Sequence, residues 1–192
     1  MQAMVYEQYG SPDVLLRKEL AQPVPRAGEV LIKVHAAALN AADWHLLRGD
    51  PFLLRFSFGL RKPKHPILGS DIAGVVEAVG SGDTQLKPGD AVFGDISRSG
   101  SGGFAEYVCA PASALAPKPA NLSYEQAAAV PMAAVTALQG LRNLGKLQAG
   151  QSVLIVGASG GVGTFAVQLA KLLGAEVTAV CSTQKLDMAN SS

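Results

Sequence analysis

Charge is scarce in this sequence, and what there is cancels. Charged residues make up 16% of the chain, and 16 Lys and Arg stand against 15 Asp and Glu for a net charge of +1. Ordinary soluble domains carry roughly 25%. No long run of either sign is present. Nucleic acids and anionic membranes attract concentrated basic charge, so the composition predicts neither as a partner. Long hydrophobic runs are missing as well. The longest mostly apolar stretch, residues 127–138, contains Pro131 and is too short to span a bilayer. The N-terminus, Met1-Gln-Ala-Met-Val-Tyr-Glu7, lacks the basic region and apolar stretch of a secretory signal. A cytoplasmic protein is expected. Only two cysteines occur, Cys109 and Cys181, far apart in apolar surroundings. That pattern predicts buried reduced thiols rather than a disulfide framework. The three histidines, His35, His45 and His65, have no Cys or second His at ligand spacing, so a zinc site is not expected.

What the sequence has in quantity is apolar residue, 48% of its 192 positions. That is enough for one large domain, or for one domain and part of another. The first half reads as short β-segments, with apolar runs at 14–16, 30–34, 72–79 and 91–94 punctuated by Gly and Pro. Such spacing predicts a β-barrel or sandwich. Residues 40–48 have helical character, and 51–65 form a long apolar and basic loop.

The character changes near Pro117-Lys-Pro119. Ser123-Tyr-Glu-Gln126 is a capping box, so a helix is predicted to start there, to kink at Pro131 and to run to about Leu144. Val153 to Val156 is a continuous apolar run of the kind buried on both faces in a parallel sheet. A helix follows, with Phe165, Ala166, Leu169, Ala170, Leu172 and Leu173 at three- and four-residue steps and Gly174 placed to cap it. Ala175 to Val180 is a second strand, completing one βαβ unit.

Between that first strand and its helix lies Gly157-Ala-Ser159-Gly160-Gly161-Val162-Gly163. A dinucleotide fingerprint belongs at this place: glycine permits the tight turn and the close approach of a pyrophosphate, while helix N–H groups face its charge. Thr164 after Gly163 excludes a P-loop, which needs lysine there. The end of the second strand chooses between cofactors, since a carboxylate would bond the ribose hydroxyls of NAD. Here it reads Cys181-Ser182-Thr183-Gln184-Lys185. Ser182 and Thr183 can donate to a 2′-phosphate and Lys185 can supply charge, so NADP(H) is expected over NAD(H). A solvated polar loop is the plainer reading of the same residues.

Taken together, residues 10–15 (GSPDVL), 40–44 (NAADW), 69–76 (GSDIAGVV), 103–108 (GFAEYV), 130–137 (VPMAAVTA) and 157–163 (GASGGVG) resemble the zinc-free, quinone oxidoreductase-like branch of the medium-chain dehydrogenase/reductases. The resemblance implies an α/β plus β architecture: a GroES-like, alcohol dehydrogenase-like domain over 1–122, then a partial Rossmann domain over 123–192. It implies an NADPH-dependent oxidoreductase that passes hydride to a quinone or conjugated carbonyl. Zinc-containing relatives carry Cys where this chain has Asn40, and His-Glu where it has Ser70-Asp71. Asn40 matches a position bordering the nicotinamide and is expected to hydrogen bond near substrate or ribose. For Asp43 two readings stand together, a proton-relay or orienting role and a cap of its own helix. For Thr136 the two are a place in the nicotinamide pocket and a bond to its own backbone. Asp71 is read as structural. The loop 51–58 is either a substrate wall or a packed apolar loop.

The resemblance also implies a truncation, because only one βαβ unit of a doubly wound sheet is present, and the family usually has a basic residue near Gln184. A full-length member would be expected to form a homodimer. The alternative is a non-catalytic barrel module that binds a partner or assembles with another subunit.

Overall fold

The computed structural model describes residues 1–82 and 84–186. The chain separates into two compact units, Met1–Pro131 and Met132–Ser192.

The first unit is built on antiparallel pairing. Strands β1 (Gln2–Val5) and β2 (Leu16–Glu19) form a ribbon. The main sheet contains β3 (Glu29–Ala38), β4 (Asp71–Val79), β5 (Ala91–Asp95), β6 (Tyr107–Pro111) and β7 (Leu115–Pro117) in the order β6-β3-β4-β5-β7. Bridges from Ala3 to Ala105 and from Val5 to Ile67 join the ribbon to this sheet's connecting segments. Val30, Ile32, Ile72, Val76, Val92 and Ile96 close over one core, which is why these runs read as strands in the sequence. The run at 14–16 does not form a strand throughout: Pro12–Val14 makes a 3-10 turn, where Pro12 suits the first helical position, and β2 starts at Leu16.

Helix α1 (Ala41–Arg48) follows β3 and ends at Gly49, whose φ of 60° supplies the left-handed cap. A short helix α2 (Leu54–Phe58) interrupts the expected loop. The Ser123 capping box is present, with the Gln126 N–H donating to Ser123 Oγ and the Ser123 N–H to Gln126 Oε1. It starts α3 (Tyr124–Ala128), and Pro131 then begins α4 (Pro131–Leu138). The helix therefore breaks at the proline, and its continuation, Gln139–Leu144, is π-helical. Ala127 and Ala128 pack on Ala73, and Tyr124 stacks on His35 with ring centroids 4.4 Å apart. So α3 belongs to the first unit by its contacts.

The second unit holds β8 (Ser152–Val156), α5 (Gly161–Leu172) and β9 (Glu176–Val180), the two strands parallel and in register from Ser152–Glu176 to Val156–Val180. Ala166, Val167 and Ala170 of α5 pack with Ile155, Ala137 and Ala158. Gly174 has a φ of 80° just past the helix, as a C-cap requires. Leu172, one of the periodic residues, faces out.

Candidate functional site

In the second unit the glycine-rich turn sits at the carboxyl edge of the parallel pair. Gly157 has a φ of 79°, and its N–H and that of Ala158 both donate to the Val180 carbonyl. This fastens the turn to the end of β9, so Ser159 to Gly163 and Ser182, Thr183 and Lys185 come to the same edge. The glycines differ in what surrounds them. A Cβ on Gly163 would lie 2.1 Å from the Gly157 carbonyl oxygen, so that residue serves close packing of helix on turn. A Cβ on Gly161 would meet nothing within 4 Å. Open space above the first turn of a helix with N–H groups facing out is what a pyrophosphate needs. The turn thus fits a dinucleotide. Ser182, Thr183 and Lys185 are exposed. Thr136 is exposed on α4, next to Ala137 in the core of the unit.

In the first unit, Asn40, Asp43 and Asp71 form one cluster although 31 residues separate its ends. The pairing of Ala38 with Asp71 across β3 and β4 sets Asn40 beside Asp71, and its side-chain Nδ2 donates to Asp71 Oδ2 at 3.1 Å. Asp43 is buried, with Oδ2 accepting from the Asn40 backbone N–H at 2.9 Å and Oδ1 from the Gly69 N–H at 3.0 Å. The carboxyl therefore ties the start of α1 to the segment before β4. Burial raises its pKa above the usual carboxylate value, the two backbone bonds pull it back, and the Asp95 charge adds to the rise.

Two sequence motifs meet here. Gly103 N–H donates to the Gly69 carbonyl, and Phe104 N–H to that of Leu68. A Cβ on Gly69, whose φ is 94°, would fall 2.7 Å from the Phe104 nitrogen. Ser70, also buried, contacts the Ser101 hydroxyl at 3.1 Å. Gly69 was not singled out as a site residue by the sequence, although its motif was. A cavity of about 180 Å³ opens alongside, lined by Tyr6, Leu46, His65, Ile67, Arg98 and Ser101 among others. Tyr6 is buried, and burial pushes its phenol up to about 12.

Among the described residues no group of three or more His, Cys, Asp or Glu is placed to hold a metal ion. No helix among them is long and apolar enough to cross a membrane. Cys109 and Cys181 are free and half-buried rather than fully enclosed, and burial raises the Cys109 thiol to about 11.

Residues 26–120 match the alcohol dehydrogenase GroES-like domain family. Across 187 residues the chain is 39% identical to human quinone oxidoreductase, covering 96% of this chain and 54% of that protein. The chain belongs to the quinone oxidoreductase-like medium-chain dehydrogenase/reductases. A second relative, an NADPH-dependent alkenal/one oxidoreductase of Arabidopsis thaliana, is 40% identical over 200 residues, covering 100% of this chain and 50% of that protein. The solved quinone oxidoreductase of Coxiella burnetii superposes with a TM-score of 0.89 at 35% identity, over 100% of this chain and 59% of that one. The chain spans about half the length of the curated relatives it matches. The first unit is accordingly GroES-like, and the second is the opening of a Rossmann-like domain.

Proposed function

We propose that this sequence serves an NADPH-dependent, zinc-independent reductase that delivers hydride to a quinone or a conjugated carbonyl. The observation that carries this reading is the turn from Gly157 to Gly163, closed by packing at Gly163 and open at Gly161. Ser159, Gly160, Gly161, Val162 and Gly163 would hold the pyrophosphate, and Ser182, Thr183 and Lys185 the 2′-phosphate of the adenosine ribose. A relative named for its NADPH dependence supports that choice. Thr136 is assigned to the nicotinamide end. The domain boundary is proposed between 122 and 123, with α3 as a connection that docks on the barrel.

The chemistry a bound nicotinamide supplies is hydride donation, so the protein's own work is binding, orientation and exclusion of water. Asn40, held by its bond to Asp71, offers an amide to substrate or ribose. Asp43 acts as a positioning residue, because both of its oxygens are engaged by backbone N–H groups.

Parallel titration of the chain with NADPH and NADH, followed by Trp44 emission and calorimetry, tests the reading. Saturable binding favouring NADPH is expected, weakened at least about tenfold in Gly161→Ala, where a methyl fills the open space. That variant should keep its fold, since nothing lies within 4 Å of the added carbon. NADPH binding that is unchanged in Gly161→Ala would remove the pyrophosphate from this turn. Equal losses for NADPH and NADH on substituting Ser182 and Lys185 would remove the 2′-phosphate assignment.

A further inference from the structure

Between Trp44 and Lys64 the first unit concentrates what the rest of the chain has little of. That stretch holds Arg48, Arg55, Arg61, Lys62 and Lys64 against one acid, Asp50. Its net charge of +4 sits on a chain whose total is +1, so the remainder carries −3. The whole-chain balance hid this. The same stretch exposes bulky apolar side chains: Leu53 is 73% and Phe56 63% exposed, with Phe52, Leu60 and Trp44 also outward. Of the loop read from the sequence as either a substrate wall or a packed apolar segment, Leu54 and Arg55 are half-buried, while Phe52, Leu53 and Phe56 are exposed.

Several of these residues are joined by contact. The Phe52 and Phe56 rings meet edge to face at 5.9 Å, and the Arg55 guanidinium lies over Phe52 at 5.5 Å. Arg55 also donates to the Arg48 carbonyl, and Arg48 lies 4.8 Å over the Trp44 ring. Lys64 donates through Nζ to the Ser57 carbonyl, holding the basic end of the stretch against α2. Exposed Arg61 and Lys62 flank it.

We propose that this face rests on an anionic lipid bilayer. Phe52, Leu53 and Phe56 enter the boundary between headgroups and acyl chains, and Arg61, Lys62 and Lys64 meet the anionic headgroups. Aromatic and leucine side chains ringed by Arg and Lys are the composition that settles at that boundary, and five cations against one carboxylate select an anionic surface. With α2 only five residues long, the segment lies on the membrane and does not cross it. This contact lies beyond the proposed reductase activity and does not depend on it. It also departs from the absence of a membrane partner expected from overall composition.

Flotation of the full chain with vesicles of phosphatidylcholine alone, or containing phosphatidylserine, tests the contact at low and high salt. The chain is expected to float with phosphatidylserine vesicles at least about tenfold better than with phosphatidylcholine, and to be released by salt. Arg61→Glu with Lys62→Glu should lower binding at least about tenfold, at about fivefold for each basic residue lost. Leu53→Ser with Phe56→Ser should lower it comparably at nearly unchanged thermal midpoint, because both side chains are mostly in water. Three results overturn the proposal. The chain could stay unfloated with phosphatidylserine, which would leave the face to a protein partner. It could float equally with both lipids. Or both paired variants could float like the parent, which would place the contact elsewhere.

Discussion

The strand sequences Val30-Leu-Ile32 and Val153-Leu-Ile-Val156 are nearly interchangeable as text, yet they end in opposite surroundings. In the first unit Val30 and Ile32 are fully enclosed. In the second, Leu154 is 63% and Val156 75% exposed. The cause is topology rather than composition. The antiparallel sheet of the first unit closes its own strands over one core. A parallel pair needs layers on both faces and further strands at its edges, and among the described residues β8 and β9 pack with α5, Ala137 of α4 and Leu141 on the side of Ile155, while Leu154 and Val156 stay open. The two units should therefore respond differently to the same substitution.

The largest expected difference comes from truncating one strand residue in each unit. Ile72→Ala should cost about 2–5 kcal/mol, as for other enclosed aliphatic side chains. Leu154→Ala should stay within about 0.5 kcal/mol, because its side chain is mostly in water. Urea unfolding with hydrogen exchange read peptide by peptide would assign each loss to its unit. Equal losses would mean that β8 is enclosed in solution and that the contrast between the units fails.

Asp43→Ala comes next. It removes the acceptor for the Asn40 and Gly69 N–H groups, at about 1–3 kcal/mol for each donor left unsatisfied and about 2–6 kcal/mol together. The pH dependence sharpens this. The folded carboxyl titrates above its ordinary value of 3.8, with burial as the main cause. Its contribution to stability is fully present below the unfolded value and is lost as pH rises through the raised folded one. The gap between parent and variant should thus be widest below about pH 4 and narrow on the way up. A gap that widens with pH would contradict the burial argument. Loss confined to peptides from 40–48 and 67–79 would agree with a clamp in the first unit alone.

Gly163→Ala probes the second unit in turn. The added methyl would collide with the backbone at Gly157 and Ala158, at about 1–3 kcal/mol. Faster exchange should be seen in 153–180, with β3 and β4 unaffected.

What the sequence made legible follows from the range of the physics. The runs that became β3, β4 and β5 were visible because enclosed strands must be apolar. The glycine turn was visible because a positive φ at Gly157 and the tight contact at Gly163 tolerate no other residue well. Strand β2, Leu-Arg-Lys-Glu, is mostly polar and half of a surface ribbon, so it carries no such signature. Helix α2 has no capping side chain to announce it. The Asn40–Asp71 bond spans 31 residues and exists only because β3 and β4 pair in one register. Likewise, the exposure of Phe56 could not be read from residues that are apolar in either surrounding.

The smallest effect bears on where one unit stops. Ser123→Ala removes the side-chain acceptor at the start of α3, which should cost about 1 kcal/mol. Because α3 packs on Ala73 and stacks Tyr124 on His35, that loss should be felt by the barrel. Exchange in β3 and β4 should then rise slightly, while β8 and β9 stay as they were. If instead the second unit loosens, α3 is more than a connection and works as the first helix of the cofactor domain that opens at the proposed boundary before Ser123, despite the contacts that bind it to the barrel.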